Sequence, residues 1–110
     1  MRQPHYPLER VKELVAQGKV WLSRRRALDM FDTPREAHAF AARVTALLTI
    51  DHFSETVQLS VDKADIYGIH VDDCGWYVKL YIDETVPETT FISLHPLEHP
   101  LNTNARKVDP

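Results

Sequence analysis

The spacing of apolar residues along this chain changes near Asp51. Upstream it follows the period of a helix. Leu8, Val11, Leu14 and Val15 fall on one side of "LERVKELVAQGK", with charges opposite and Gly18 placed to end the element. Residues 20–23, "VWLS", read as a short strand or an extended link, and "RRRALDMF" as a helical turn or two. A second helix carries a stronger start signal. Thr33 as N-cap, Pro34 at the first helical position and Glu36 three residues after the cap make a capping-box pattern. Ala37, Phe40, Ala41, Val44, Leu47 and Leu48 then form one apolar stripe, which reads as core.

Downstream the period is two. Strands are predicted over 53–60, 64–71, 76–83 and 89–95, separated by "VDKA", "DDCG" and "ETVPE". Helices followed by an antiparallel meander define an α+β class, with the N-terminal helices packed on one face of an antiparallel β-sheet. The polar, proline-bearing stretch from His99 onward reads as loosely held. Residues 1–99 are thus expected to form one domain and 100–110 a flexible C-terminal tail.

Treating the connections as hairpins assigns the faces. "DDCG" sets Val71 opposite Trp76, His70 opposite Tyr77 and Gly68 opposite Lys79; "ETVPE" sets Asp83 opposite Thr89, Tyr81 opposite Phe91, Lys79 opposite Ser93 and Tyr77 opposite His95. Val78, Leu80, Ile69, Tyr67, Ile92 and Leu94 then share the core face. His70, Tyr77, His95, Lys79, Ser93, Ile66, Tyr81 and Phe91 share the outer one. A slip of one residue in either turn reverses these assignments.

Composition narrows the class of protein. A chain of 110 residues, 44% hydrophobic and 26% charged, suits a single globular core. A formal charge of −3 gives no support to a strongly basic nucleic-acid binder. Cys74 is alone, so no internal disulfide is possible and a reducing compartment is expected. "MRQPHYPLERVKEL" lacks the apolar run of a signal peptide, and no stretch approaches the ~20 apolar residues that span a bilayer. A cytoplasmic protein, with no membrane partner, is the expectation.

The outer face carries the candidate chemistry. RNA holds its own nucleophile, the 2′-hydroxyl, so metal-free cleavage needs a base there, an acid at the leaving 5′-oxygen and a cation on the phosphate. His70 and His95 are suited to the proton transfers, Lys79 to the phosphate, and Tyr77 or Tyr81 to stacking on a base. Arg24, Arg25 and Arg26 form a local basic patch for an RNA backbone or an acidic partner. Half-wet sheet faces also carry Tyr and Lys with no function at all. His95-Pro-Leu-Glu-His99 has a His-x3-His spacing, but Pro96 and the strand context argue against a metal site, and no cofactor is expected.

Several stretches resemble the MqsR family of toxins: "PHYPLERVKELVAQGKV", the Tyr-x-Lys strand in "WYVKLYI", and "TFISLHPLEH". The resemblance covers Pro4 to Glu98. It implies a RelE-like fold, an mRNA interferase activity (endoribonuclease cleavage of mRNA in a bacterial toxin–antitoxin pair), and a cognate antitoxin, MqsA-like, that binds DNA through a helix-turn-helix. Of the catalytic groups it implies, the tyrosine falls on Tyr77. The lysine's position is occupied by Glu55 and the glutamine's lies near Gly68, so Glu55 is the candidate replacement base. Since Glu55 shares parity with Phe53, Val57 and Leu59, an inward-pointing carboxylate would need a cationic partner. The alternative function is a non-catalytic RelE-like module that contacts protein or RNA. A small DNA-binding regulator is a third reading, but the basic residues form no recognition helix.

Overall fold

A computed structural model describes residues 1–110. Helix α1 spans Leu8–Ala16 and helix α2 Pro34–Leu47; the strands are β1 (Val20–Leu22), β2 (Phe53–Gln58), β3 (Lys63–Val71), β4 (Cys74–Asp83), β5 (Glu88–Pro96), β6 (Leu101–Asn102) and β7 (Lys107–Val108). The first five make one sheet in the order β1-β5-β4-β3-β2, antiparallel except that β1 runs parallel to β5. The protein is therefore α+β, with both helices on one face. No helix is long and apolar enough to cross a membrane.

Gly18 adopts φ +75°, left-handed backbone that glycine enters without a Cβ clash, just past the end of α1. Thr33 caps α2 by accepting the Glu36 N–H at 3.1 Å, with Pro34 inside the first turn. Val11, Leu14 and Val15 of α1, Ala37, Ala41 and Val44 of α2, and Leu48 just past its end bury against Tyr67, Val78, Leu80 and Leu94 of the sheet. Leu47, placed in the stripe by its spacing, is exposed, and Thr45 takes a buried position with its hydroxyl donated to the Ala41 carbonyl.

Three local features redraw the predicted register. The β3–β4 turn holds only Asp72 and Asp73, both at positive φ, so Val71 faces Cys74 and Tyr77 faces Gly68. This two-residue shift preserves the faces, because the side-chain period is two. On β5, Lys79 faces Ser93 and Leu80 faces Phe91, leaving Ile92 as a bulge. Phe91, predicted on the outer face, is therefore fully buried in the core, while Ile92 joins the outer side. The Ile92 carbonyl accepts the Ser23 hydroxyl at 2.5 Å. A further irregularity at Ser54 pairs Phe53 with Tyr67 but Glu55 with Ile66. Glu55 thereby turns to the outer face and is exposed, without needing an internal cation.

The C-terminal stretch differs from the flexible tail read in the sequence. Strands β6 and β7 pair, Val108 and Thr103 are buried, and the stretch lies across the outer face. Two glycines accept it there. A Cβ on Gly68 would lie 2.8 Å from Leu101 Cδ2, and one on Gly75 would collide with the Asp109 carbonyl oxygen. Asn104 ties the stretch down through bonds from its N–H to the Phe53 carbonyl and from its amide to the Ile50 carbonyl, each 2.9 Å.

Candidate functional site

The alternation of β4 sends Tyr77 and Lys79 outward, and antiparallel pairing places His95 and Ser93 directly opposite them. These four residues and Arg26 line a cleft of about 480 Å³ together with the run Leu97–Leu101. The Arg26 main chain is positioned by the sheet, its carbonyl accepting the Leu94 N–H at 2.8 Å. Its side chain reaches back over the strand.

His95 is buried and fully engaged. Its Nε2 lies 2.8 Å from Arg26 Nη2 and its Nδ1 2.8 Å from the Pro96 carbonyl oxygen. A guanidinium only donates and a carbonyl only accepts, so Nε2 is the acceptor and Nδ1 carries the proton. The tautomer follows from this network. Tyr77 stacks on the imidazole, ring centroids 5.2 Å apart and planes 21° from parallel. Burial raises the Tyr77 phenol above its ordinary pKa; the Glu55 carboxylate adds to the shift and Arg26 opposes it. At neutral pH Tyr77 is a proton-bearing donor. Arg26 also lies 3.6 Å from Glu98 Oε1, an exposed pair worth little in stability.

Glu55 lies on β2, two strands beyond the cleft's Lys79, in the row Glu55–Ile66–Lys79–Ser93. It does not line the cleft. His70 is separated from the group. It shares the outer face with Tyr77, but residues 101–109 lie over Gly68 and Gly75 beside it, and it opens instead into a second cavity of about 320 Å³ with Asp51, His52 and Arg106. Tyr81 faces Thr90 beyond the Lys79 row and lies outside the cleft lining. The three consecutive arginines splay apart. Arg26 enters the cleft, Arg24 lines a groove beside Trp21 and Phe31, and Arg25 is exposed and lines neither.

The residues that sequence reasoning missed are Glu98 and His99. Both belong to the cleft wall because the chain after Pro96 folds back instead of trailing into solvent. Only the His-x3-His spacing hinted at His99, and that pattern pointed to a metal. No family model matches the chain, and no curated protein matches its sequence. What the cleft does rests on its own chemistry.

Proposed function

We propose that this cleft cuts single-stranded RNA, and that the protein is the toxin ribonuclease of a toxin–antitoxin pair. The observation that carries the reading is the convergence of Arg26, Tyr77, Lys79, Ser93 and two imidazoles on one solvent-open cleft. Arg26 and Lys79 supply two cations for a phosphodiester. An imidazole takes the proton of the 2′-hydroxyl, the new P–O2′ bond forms as P–O5′ breaks, and the Tyr77 O–H protonates the departing 5′-oxygen. The products are a 2′,3′-cyclic phosphate and a 5′-hydroxyl, and no metal takes part. The likeness of Pro4–Glu98 to the MqsR toxins supports the same reading and names a helix-turn-helix antitoxin as the partner.

Induced expression tests it. Wild type should stop growth and fragment mRNA, leaving cyclic-phosphate ends. Tyr77→Phe, which keeps the ring and removes the proton donor, should lower cleavage by about 10²–10⁴-fold with its melting temperature nearly unchanged. Intact mRNA and normal growth with folded wild type would leave a binding module in place of an enzyme.

A further inference from the structure

The two imidazoles of the cleft are not equivalent. His95 has neither a free lone pair nor a free proton, since Arg26 occupies Nε2 and the Pro96 carbonyl occupies Nδ1. To act as a base it would have to surrender the guanidinium, and with it the anchor of a phosphate-binding cation. His99 is exposed, lines the same cleft, and has no hydrogen-bond partner on either nitrogen. It lies on the segment that follows β5 and shares the cleft lining with Tyr77, within reach of a nucleotide bound there.

We infer that His99 is the general base of this cleft and that His95 is a positioning residue that fixes the Arg26 guanidinium. The inference rests on the ribonuclease reading. In the step it describes, the 2′-hydroxyl proton passes to His99 as P–O2′ forms, and the Tyr77 phenol proton passes to O5′ as P–O5′ breaks. Water then returns a proton from His99 to Tyr77. The titratable and charged groups that share the cleft with His99 are Arg26, Tyr77, Lys79 and His95 from the sheet side of the chain, with Glu98 beside it on its own segment.

Single-turnover cleavage of an RNA oligonucleotide across pH separates the roles. His99→Gln should lose the acid limb of the profile and fall about 10²–10⁴-fold in kcat with little change in KM. His95→Gln, whose amide oxygen can still accept from Arg26, should keep the acid limb, whereas His95→Ala should mainly raise KM. Nitrogen NMR of the folded wild type should show His95 held with its proton on Nδ1, and Arg26→Gln should release it. A profile whose acid limb vanishes in His95→Gln and survives in His99→Gln overturns the inference, as does a His95 ring that titrates freely beside Arg26. If wild type leaves RNA whole at every pH, the ribonuclease reading fails and the base goes with it. If wild type cleaves and His99→Gln matches it, only the inference fails.

Discussion

Asp65 shows how much one side chain organises here. Its fully buried carboxylate accepts the His5 N–H at 2.9 Å, the Tyr6 N–H at 2.8 Å and the Thr56 hydroxyl at 2.5 Å. Asp65→Ala would leave two backbone donors without an acceptor, at roughly 1.5–3 kcal/mol for a bond to a charged group. Urea denaturation should show a loss of about 3 kcal/mol, and hydrogen exchange should show the His5 and Tyr6 amides deprotected. His52 acts on stability through pH. Burial lowers its pKa, Arg106 and Lys12 add to the shift, and Asp51 opposes it. The unfolded chain then binds the proton more readily. Stability contributed by neutral His52 is present above the unfolded value near 6.5 and declines as pH falls from there toward the lowered folded value. The drop in urea midpoint between pH 7.5 and 5.5 should be smaller in His52→Gln than in wild type.

Among the elements, the C-terminal hairpin decides the shape of the outer face. Its first residue, Leu101, lines the cleft while Thr103, Ala105, Arg106 and Val108 line the cavity of His70, and the hairpin can lie close only where β3 and β4 offer glycine. Gly75→Ala drives a methyl into the Asp109 carbonyl, backbone that has little freedom to yield, so residues 101–109 should lift. Overpacking of this kind costs about 1–3 kcal/mol. Faster proteolysis after Asn104 should accompany it, and, on the proposed function, weaker RNA binding. Gly68→Ala meets only the end of the Leu101 side chain, which can rotate, and should be milder. Helix α2 offers a simpler case. Thr33→Ala removes the acceptor for the Glu36 N–H and should cost about 1 kcal/mol, read as a lower melting temperature with the fold unchanged.

Across the whole molecule, the helices and the cleft occupy opposite sides of one sheet. The inner face is used for burial, which leaves the outer face available for chemistry. The net charge of −3 gives little long-range attraction for RNA. Affinity in the proposed site must come from the cleft's own cations, Arg26 and Lys79. With two phosphates neutralised at roughly −0.7 per phosphate on a single strand, log K against log salt should slope about −1.4. A slope of about −2.8 in filter binding would mean that the splayed Arg24 and Arg25 also hold the backbone.

The sequence by itself determined helices α1 and α2, strands β2 to β5, and the two faces of β3 and β4. Alternation from Trp76 to Asp83 sorts β4 without help, and the Thr33-Pro34-Glu36 start of α2 is a local matter of one hydroxyl and one N–H. Pairing of Tyr77 with His95 and of Lys79 with Ser93 came out as expected only because two offsets cancel: the β4–β5 turn sets Asp83 opposite Glu88 and Tyr81 opposite Thr90, one residue from the predicted Thr89 and Phe91, and the Ile92 bulge restores the count. Only tertiary structure placed Phe91 in the core and Glu55 on the surface, since a bulge adds a residue to one strand without marking it in the pattern. It alone put His99 in the cleft and His70 outside it. Those positions depend on how residues 97–109 fold over Gly68 and Gly75, a contact between segments some thirty residues apart that no local periodicity encodes.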